Sequence, residues 1–253
     1  MIAAAVEEVL LHGLARHAAR FSSSEPYVAI YEFDCRQPAT VLAPLQAVLD
    51  AGELEHIGRL RQPPQRQRSI VVRGVLRWVL GAHLQMRPES VPLQREPGDR
   101  PRLRPAPGVR DLSISSASSG TSGVVAIGAG AEIGIDVEHV TRQRFPDGVS
   151  KTMLHPRETA VFETLPRGAR AAWLADAWVC KEATLKALGV GLEVDPRTVE
   201  VMSLVATIRP DVSDFRLARY LHLSGWLYRS DATATALVAS APGVRPCRSH
   251  LAL

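Results

Sequence analysis

The sequence predicts an α+β fold made of two similar halves, each with a major helix packed on a small, mostly antiparallel sheet. Helical and strand patterns alternate along the chain, and each half contains one long apolar helix and about three short strands. Mixed helices and antiparallel strands of this kind are typical of the α+β class. We expect residues 1–130 to form the N-terminal half and residues 131–253 to form the C-terminal half.

In the first half, β-forming residues alternate over 27–33, which predicts a strand. Residues 45–60 have a loose amphipathic pattern and residues 69–84 a strongly apolar one, so both are predicted to be helices. The stretch 96–109 is rich in Pro, Gly and Arg and is predicted to be a loop. Three strands are then expected, at 112–116, 123–128 and 132–138.

The second half follows the same plan. Residues 156–165 are predicted to form a helix that has a proline in its first turn. Residues 169–188 are predicted to form a long helix that Gly189 ends, since glycine is the usual residue just after a helix. Four strands are then expected, at 198–205, 215–221, 224–229 and 233–239.

The composition is that of an ordinary globular protein, with 46% hydrophobic and 22% charged residues in 253. The net charge of +4 comes mostly from arginine and suits a phosphate-bearing partner without establishing one. Three cysteines without a CxxC spacing favour a reducing compartment. No stretch reaches the ~20 apolar residues that span a bilayer, so we expect a cytoplasmic protein without a membrane partner.

Two acidic residues stand close together in the segment 133–138, Ile-Gly-Ile-Asp-Val-Glu. Side chains of a strand alternate between its faces, so the three apolar residues share one face. Gly134, Asp136 and Glu138 share the other, and a hard cation would relieve the repulsion between the two carboxylates. Gly134 would also leave room for a ligand to approach the backbone. The alternative is a solvated edge strand with ordinary acidic residues.

A third carboxylate occurs on the predicted helix 169–188. Glu182 is four residues after Trp178 and four before Lys186, so all three share one helix face. The large apolar side chains of Trp178 and Leu185 lie beside Glu182 and would partly remove its carboxylate from water. Lys186 is placed to meet an anion next to that carboxylate. The alternative is a surface Glu–Lys pair of a kind that many helices carry.

Together the two motifs resemble the signature of 4'-phosphopantetheinyl transferases. That signature is hydrophobic-Gly-Ile-Asp-x-Glu followed, after a gap, by Trp-x-x-Lys-Glu-Ala-x-x-Lys, and the likeness is to the single-chain Sfp-type enzymes in particular. It extends roughly over residues 25–240. Arg68 matches a position that the family uses near the coenzyme A nucleotide. Residues 98–103 resemble the family's Gly-x-Lys-Pro-x-Leu loop, with Arg100 in place of the lysine. Residues 112–117 resemble its Phe-Asn-Ile-Ser-His-Ser strand, and residues 189–192 resemble its Gly-x-Gly-Leu turn.

The resemblance implies a fold of two similar α+β halves related by a pseudo-two-fold, with the active site at their interface. It implies transfer of the phosphopantetheine group from coenzyme A, as substrate, to a serine of an acyl or peptidyl carrier protein. Mg²⁺ would be bound by Asp136, Glu138 and Glu182. Glu182 and Lys186 would be catalytic. Contacts to coenzyme A are implied for Arg68, Arg100, Ser115, Ser116, Lys181 and Lys186.

Some alternatives stay open. Ser116 stands where the family commonly has a histidine that contacts the nucleotide phosphate, and a shift along the strand would make Ser118 and Ser119 the contacts instead. Lys181 either contacts phosphate or lies on the helix surface. The missing histidine also leaves room for a non-catalytic family member that binds coenzyme A or a carrier protein. A nucleic-acid-binding protein is disfavoured because aromatic residues are only 5% and no binding motif occurs. A monomer is expected.

Overall fold

The computed structural model describes residues 25–94, 101–105, 110–141, 145–201, 212–230, 232–241 and 243–253, with Leu14, Ala18 and Phe21. Helices and antiparallel sheets are mixed along the chain, which confirms the predicted α+β class. The chain divides into two compact units, Met1–Gly130 with Pro246–Leu253, and Ala131–Arg245. Every helix in the described ranges is too short or too polar to cross a lipid bilayer.

The first unit contains a four-stranded sheet. Strand β1 (Tyr27–Asp34) pairs antiparallel with β5 (Ser122–Ala129), and β5 pairs antiparallel with β4 (Ser113–Ser119). On its other edge β1 pairs in parallel with β10 (Cys247–His250), the last strand of the chain. The final eight residues therefore group with the first unit, whereas the sequence analysis placed them in the C-terminal half. A short ladder joins β2 (Leu93–Gln94) to β3 (Arg102–Leu103).

Among the described residues of this unit, α-helices span Ala39–Ala47 (α1), Ala51–Arg59 (α2) and Pro63–Leu84 (α3). The prediction of one helix over 45–60 is wrong, because Asp50 starts a new helix there. The Asp50 side chain accepts a hydrogen bond from Glu53 N, and the Glu53 side chain accepts one from Asp50 N, which forms a capping box.

Helix α3 is longer than the predicted helix 69–84. It begins at Pro63, since a proline in the first turn has no helical N–H bond to lose. Its apolar side packs on the sheet in a core that includes Val75, Val79 and Ile127. Helix α3 therefore borders the space beside β4.

The second unit contains an antiparallel sheet of four strands in the order β6-β9-β8-β7. The predicted strand at 215–221 is wrong, because the strand observed there ends at Phe215. Beyond it, Leu217 forms an isolated β-bridge with Val201. Half of the predicted strand 198–205 lies outside the described residues; in the other half, Thr198 ends a short 3-10 helix and only Val201 makes a β-bridge. The strands are β6 (Ile133–His139), β7 (Val212–Phe215), β8 (Ser224–Arg229) and β9 (Thr233–Ala239).

Helix α6 (Arg167–Leu188) lies across β6 and β9, after the shorter α4 (Ser150–Met153) and α5 (Pro156–Thr164). As predicted, α6 ends at Gly189, which has a positive φ of 70°. Gly134 of β6 lets the helix come close, because a Cβ there would lie 2.0 Å from the carbonyl oxygen of Ala183. The helix backbone thus fills the space that the sequence analysis reserved for a ligand beside Gly134.

Candidate active site

The acidic face of β6 is covered by α6. Asp136 and Glu138 are 7% and 6% exposed, although they alternate with core residues as the sequence predicted. Strand β6 does lie at an edge of its sheet, but its acidic face is not solvated, so the alternative of ordinary solvated acids is wrong. Burial of two carboxylates on one short strand is costly unless cations or hydrogen-bond donors face them.

Lys186 of α6 meets this face directly. Its Nζ lies 2.7 Å from Asp136 Oδ1 and donates a second hydrogen bond to the carbonyl oxygen of Ile135 at 3.1 Å. The Lys186 side chain is 25% exposed, so its ammonium group stands at the edge of the buried acids. The alternative of an ordinary surface Glu–Lys pair is therefore wrong, because Lys186 binds Asp136 of the neighbouring strand.

Burial and mutual repulsion raise the pKa values of two of the three acids. Burial raises the pKa of the Asp136 carboxyl, the Lys186 ammonium opposes this, and Glu138 adds to it. Burial also raises the pKa of Glu182, and the charge of Asp136 adds to that effect while Lys186 opposes it. The charges of Asp136 and Glu138 both raise the pKa of Glu182, so these carboxylates interact electrostatically.

Two carboxylate oxygens of this neighbourhood have no hydrogen-bond partner in the part of the chain that the structure describes. Asp136 Oδ2 and Glu182 Oε1 are both buried and unsatisfied. Orphaned carboxylate oxygens with raised pKa values suit a hard divalent cation, which prefers oxygen ligands. Among the described residues, however, no three side chains of His, Cys, Asp or Glu are close enough to hold a metal ion as they stand. The three-ligand magnesium site therefore stays a prediction.

Lys181, on the same helix, is fully buried. Its ammonium forms an ion pair with Glu158 at 2.7 Å and donates to the carbonyl oxygens of Pro196 and Val199. The alternative of a helix-surface lysine is therefore wrong. A phosphate contact by Lys181 remains a prediction that this arrangement does not favour, since protein atoms accept from all three of its N–H groups.

In the first unit, a pocket of about 1270 Å³ lies between α2, α3 and β4. Arg68 lines it and donates a hydrogen bond to the carbonyl oxygen of Gly120 at 3.3 Å. Ser116 and Ser118 also line it, with Ala117 between them, whereas Ser115 and Ser119 are buried. The predicted contact residues of this strand are therefore divided between wall and interior. Arg100 lies outside the described residues.

Comparison with known proteins points to one family. The model of the 4'-phosphopantetheinyl transferase superfamily matches residues 132–237, which include Asp136, Glu138, Glu182 and Lys186. The 4'-phosphopantetheinyl transferase HetI of Nostoc sp. (strain PCC 7120) is 30% identical over 165 residues, 65% of this chain and 70% of that protein. The chain belongs to the 4'-phosphopantetheinyl transferase superfamily.

Further superfamily members resemble shorter parts of the chain. The putative 4'-phosphopantetheinyl transferase slr0495 of Synechocystis sp. (strain PCC 6803) is 27% identical over 158 residues, 62% of this chain and 64% of that protein. A holo-[acyl-carrier-protein] synthase of Nitratidesulfovibrio vulgaris is 37% identical over 76 residues, 27% of this chain and 59% of that protein.

From the sequence alone, Glu158 was assigned no role and Arg73 was not predicted to line a pocket. Glu158 is the buried partner of Lys181, and its place in a capping box after Pro156 was the only local signal. Arg73 is 7% exposed and lines the pocket of the first unit, five residues after Arg68. An arginine inside a strongly apolar helix was the signal that could have found it.

Proposed function

We propose that this chain transfers the 4'-phosphopantetheine group from coenzyme A to a serine hydroxyl of an acyl or peptidyl carrier protein. The observation that carries the proposal is the group of Asp136, Glu182 and Lys186, in which each carboxylate keeps one buried oxygen without a partner among the described residues, beside an ammonium group. Membership of the superfamily and the names of the relatives support the same reaction.

In this reaction the serine oxygen forms a bond to the phosphorus that carries the pantetheine arm. The phosphoanhydride bond breaks, adenosine 3',5'-bisphosphate leaves, and the serine proton passes to a base. Glu182 suits the base, directly or through water, because burial raises its pKa toward the working pH. Lys186 is held by Asp136 and by the carbonyl oxygen of Ile135, where its charge would stabilise the departing phosphate.

A divalent cation would complete this electrostatic environment. Asp136, Glu138 and Glu182 would hold it, since Asp136 and Glu182 each offer an oxygen that no described residue satisfies. When bound, Mg²⁺ would neutralise charge on the diphosphate oxygens, as it does in other phosphoryl transfers. The protein's own share is to keep these carboxylates buried and close, against their repulsion, by packing α6 on β6.

We further propose that the pocket of the first unit receives the nucleotide end of coenzyme A. Arg68 can donate two hydrogen bonds to one phosphate, and Ser116 and Ser118 offer hydroxyl donors on the β4 side. Arg100 is a further proposed contact from the resemblance alone. It also stays a prediction that the two units together form a single active site.

The single-chain Sfp-type architecture is part of the proposal. Each unit contains a 22-residue helix, α3 or α6, and a four-stranded sheet. This repetition of elements supports two halves related by a pseudo-two-fold. A monomer would then need no second copy, and its mass in solution, measured by light scattering, would test this.

The reaction is tested by incubating the purified chain with an apo carrier domain, coenzyme A and Mg²⁺, and weighing the carrier by mass spectrometry. We expect one phosphopantetheine per carrier serine, and no gain with Asp136→Ala or with a chelator present. Glu193→Gln, at an exposed carboxylate outside the site, serves as the matched control and should transfer normally. No mass gain with several carriers would favour the alternative, a member that binds coenzyme A or a carrier protein without transfer.

A further inference from the structure

Helix α2 forms one wall of the pocket in the first unit, yet it is weakly packed. All nine of its residues are described, and Ile57 alone among them is buried. Helix α1, in contrast, buries Val41 and Leu45 and lies so close to α3 that a Cβ on Gly74 would be 2.7 Å from the Leu45 Cβ. Because the burial of one apolar side chain contributes only about 1.5–3 kcal/mol, polar contacts have to help hold α2 in place.

Arg77 of α3 supplies such a contact. Its side chain is 2% exposed, its Nε donates to Glu53 Oε2 and its Nη2 donates to Asp50 Oδ2, each at 2.6 Å. The same two carboxylates form the capping box at the start of α2, so Arg77 binds this helix at its first turn. Since a guanidinium is planar and rigid, the two bonds fix the direction of α2 as well as its distance from α3.

The third nitrogen of Arg77 binds the segment that leads into β2. Arg77 Nη1 donates to the carbonyl oxygens of Pro88 at 3.4 Å and Val91 at 3.2 Å. The Val91 oxygen also accepts from the backbone N of Leu93, the first residue of β2, and Leu93 and Gln94 line the same pocket as α2. One buried guanidinium therefore connects two parts of the pocket wall that are far apart in the chain.

We propose that Arg77 is a positioning residue that sets the separation of α2 from β2 and thereby how tightly the pocket holds its ligand. The proposal rests on the proposed function, which assigns the nucleotide end of coenzyme A to this pocket. Because Arg77 is buried, it acts through the two walls and not on the ligand. A chain in which α2 is displaced for most of the time binds the ligand correspondingly more weakly.

This role separates binding from chemistry. The groups proposed to carry out the transfer, Asp136, Glu182 and Lys186, belong to the second unit, whereas Arg77 and its partners belong to the first. A change at Arg77 should therefore raise the Michaelis constant for coenzyme A and leave kcat nearly as it is.

Hydrogen exchange and steady-state kinetics on the full-length chain test the proposal together. Arg77→Lys keeps the buried positive charge, but one ammonium group cannot replace a fork that binds both α2 and the carbonyls of Pro88 and Val91. We expect the amide protons of α2 to exchange about 10- to 100-fold faster, as the loss of hydrogen bonds to charged groups implies, and those of α6 to be unchanged. The Michaelis constant for coenzyme A should rise about 10-fold, with kcat within about 2-fold.

Val79→Ala is the matched control. Val79 is fully buried in the core, two positions after Arg77 on α3, so its truncation lowers stability without removing a bond to α2. It should leave both the exchange of α2 and the Michaelis constant unchanged. Arg77→Met, which removes the charge altogether, should exceed Arg77→Lys in both measurements where it folds.

Two results with Arg77→Lys would overturn the assignment: unchanged exchange in α2, or faster exchange with an unchanged Michaelis constant. An equal rise of the Michaelis constant in Val79→Ala would also overturn it, because the effect would then be one of general stability. A wild-type chain that does not bind coenzyme A in isothermal titration calorimetry would instead contradict the nucleotide pocket of the proposed function. The exchange of α2, measured without ligand, would still decide whether Arg77 holds this helix.

Discussion

Lys181 Nζ lies 2.7 Å from Glu158 Oε2 in an ion pair whose side chains are 0% and 4% exposed. The pair joins α6 to α5, and Glu158 Oε1 also accepts a hydrogen bond from Val201 N. Lys181 directly precedes Glu182 on α6. The ion pair therefore also restrains the rotation and the axial position of the helix that carries Glu182. A network in which every polar atom has a partner stabilises one arrangement, whereas a half-satisfied one costs stability.

Lys181→Met tests how much the fold depends on this pair. We expect the free energy of unfolding, measured in urea, to fall by about 3–5 kcal/mol, because the Glu158 carboxylate is left buried without its cation. Adding Glu158→Gln to the same chain should restore part of the loss, since the amide oxygen still accepts from Val201 N. An unchanged unfolding midpoint in the single variant would contradict the buried pair.

Gly134→Ala should separate α6 from β6. The added Cβ would lie 2.0 Å from the carbonyl oxygen of Ala183, so we expect a loss of about 1–3 kcal/mol or more and a fall in transfer activity. Gly168→Ala is the matched control, because it lies on α6 with nothing within 4 Å of the new Cβ. If the two variants unfold at the same urea concentration, the close packing of α6 on β6 is not as described.

Glu182→Gln should abolish transfer without destabilising the metal-free protein at neutral pH. The pKa of Glu182 is raised by burial and by Asp136, so its contribution to stability is fully present below the ordinary glutamate pKa and is lost as the pH rises through the raised value. We therefore expect the wild type to lose stability relative to the variant as the pH rises from about 4 toward 7. Urea unfolding across this range measures it, and parallel curves for the two proteins would contradict the burial of an acid at this position.

Ser116→His should lower the Michaelis constant for coenzyme A. Ser116 lies in the pocket wall, where an imidazole can add a charged or neutral donor toward phosphate. Ser118→His is the comparison on the same face of β4, and a stronger effect there would support the alternative register. Steady-state kinetics with a carrier domain measures both, and an unchanged constant in each would speak against β4 as a nucleotide wall.

Much of the site follows from local spacing. Alternation along 133–139 predicts that Asp136 and Glu138 share a face, and helical spacing predicts that Glu182 and Lys186 share another. The structure confirms both patterns and brings these faces together. The start of α2 after Asp50 was missed, although the capping box that Asp50 forms with Glu53 is also local, because the apolar pattern continues past this position.

By itself, the sequence determined the α+β class, the bounds of β6, β8 and β9 to within a residue, and the resemblance that the comparisons confirm. Only the tertiary structure decided that Lys181 is buried against Glu158, that Ser116 rather than Ser115 lines the pocket, and that the last strand pairs with β1. Periodicity sets which residues share a face of an element. What covers that face depends on contacts between residues far apart in the chain, such as Lys186 and Asp136, which are 50 positions apart.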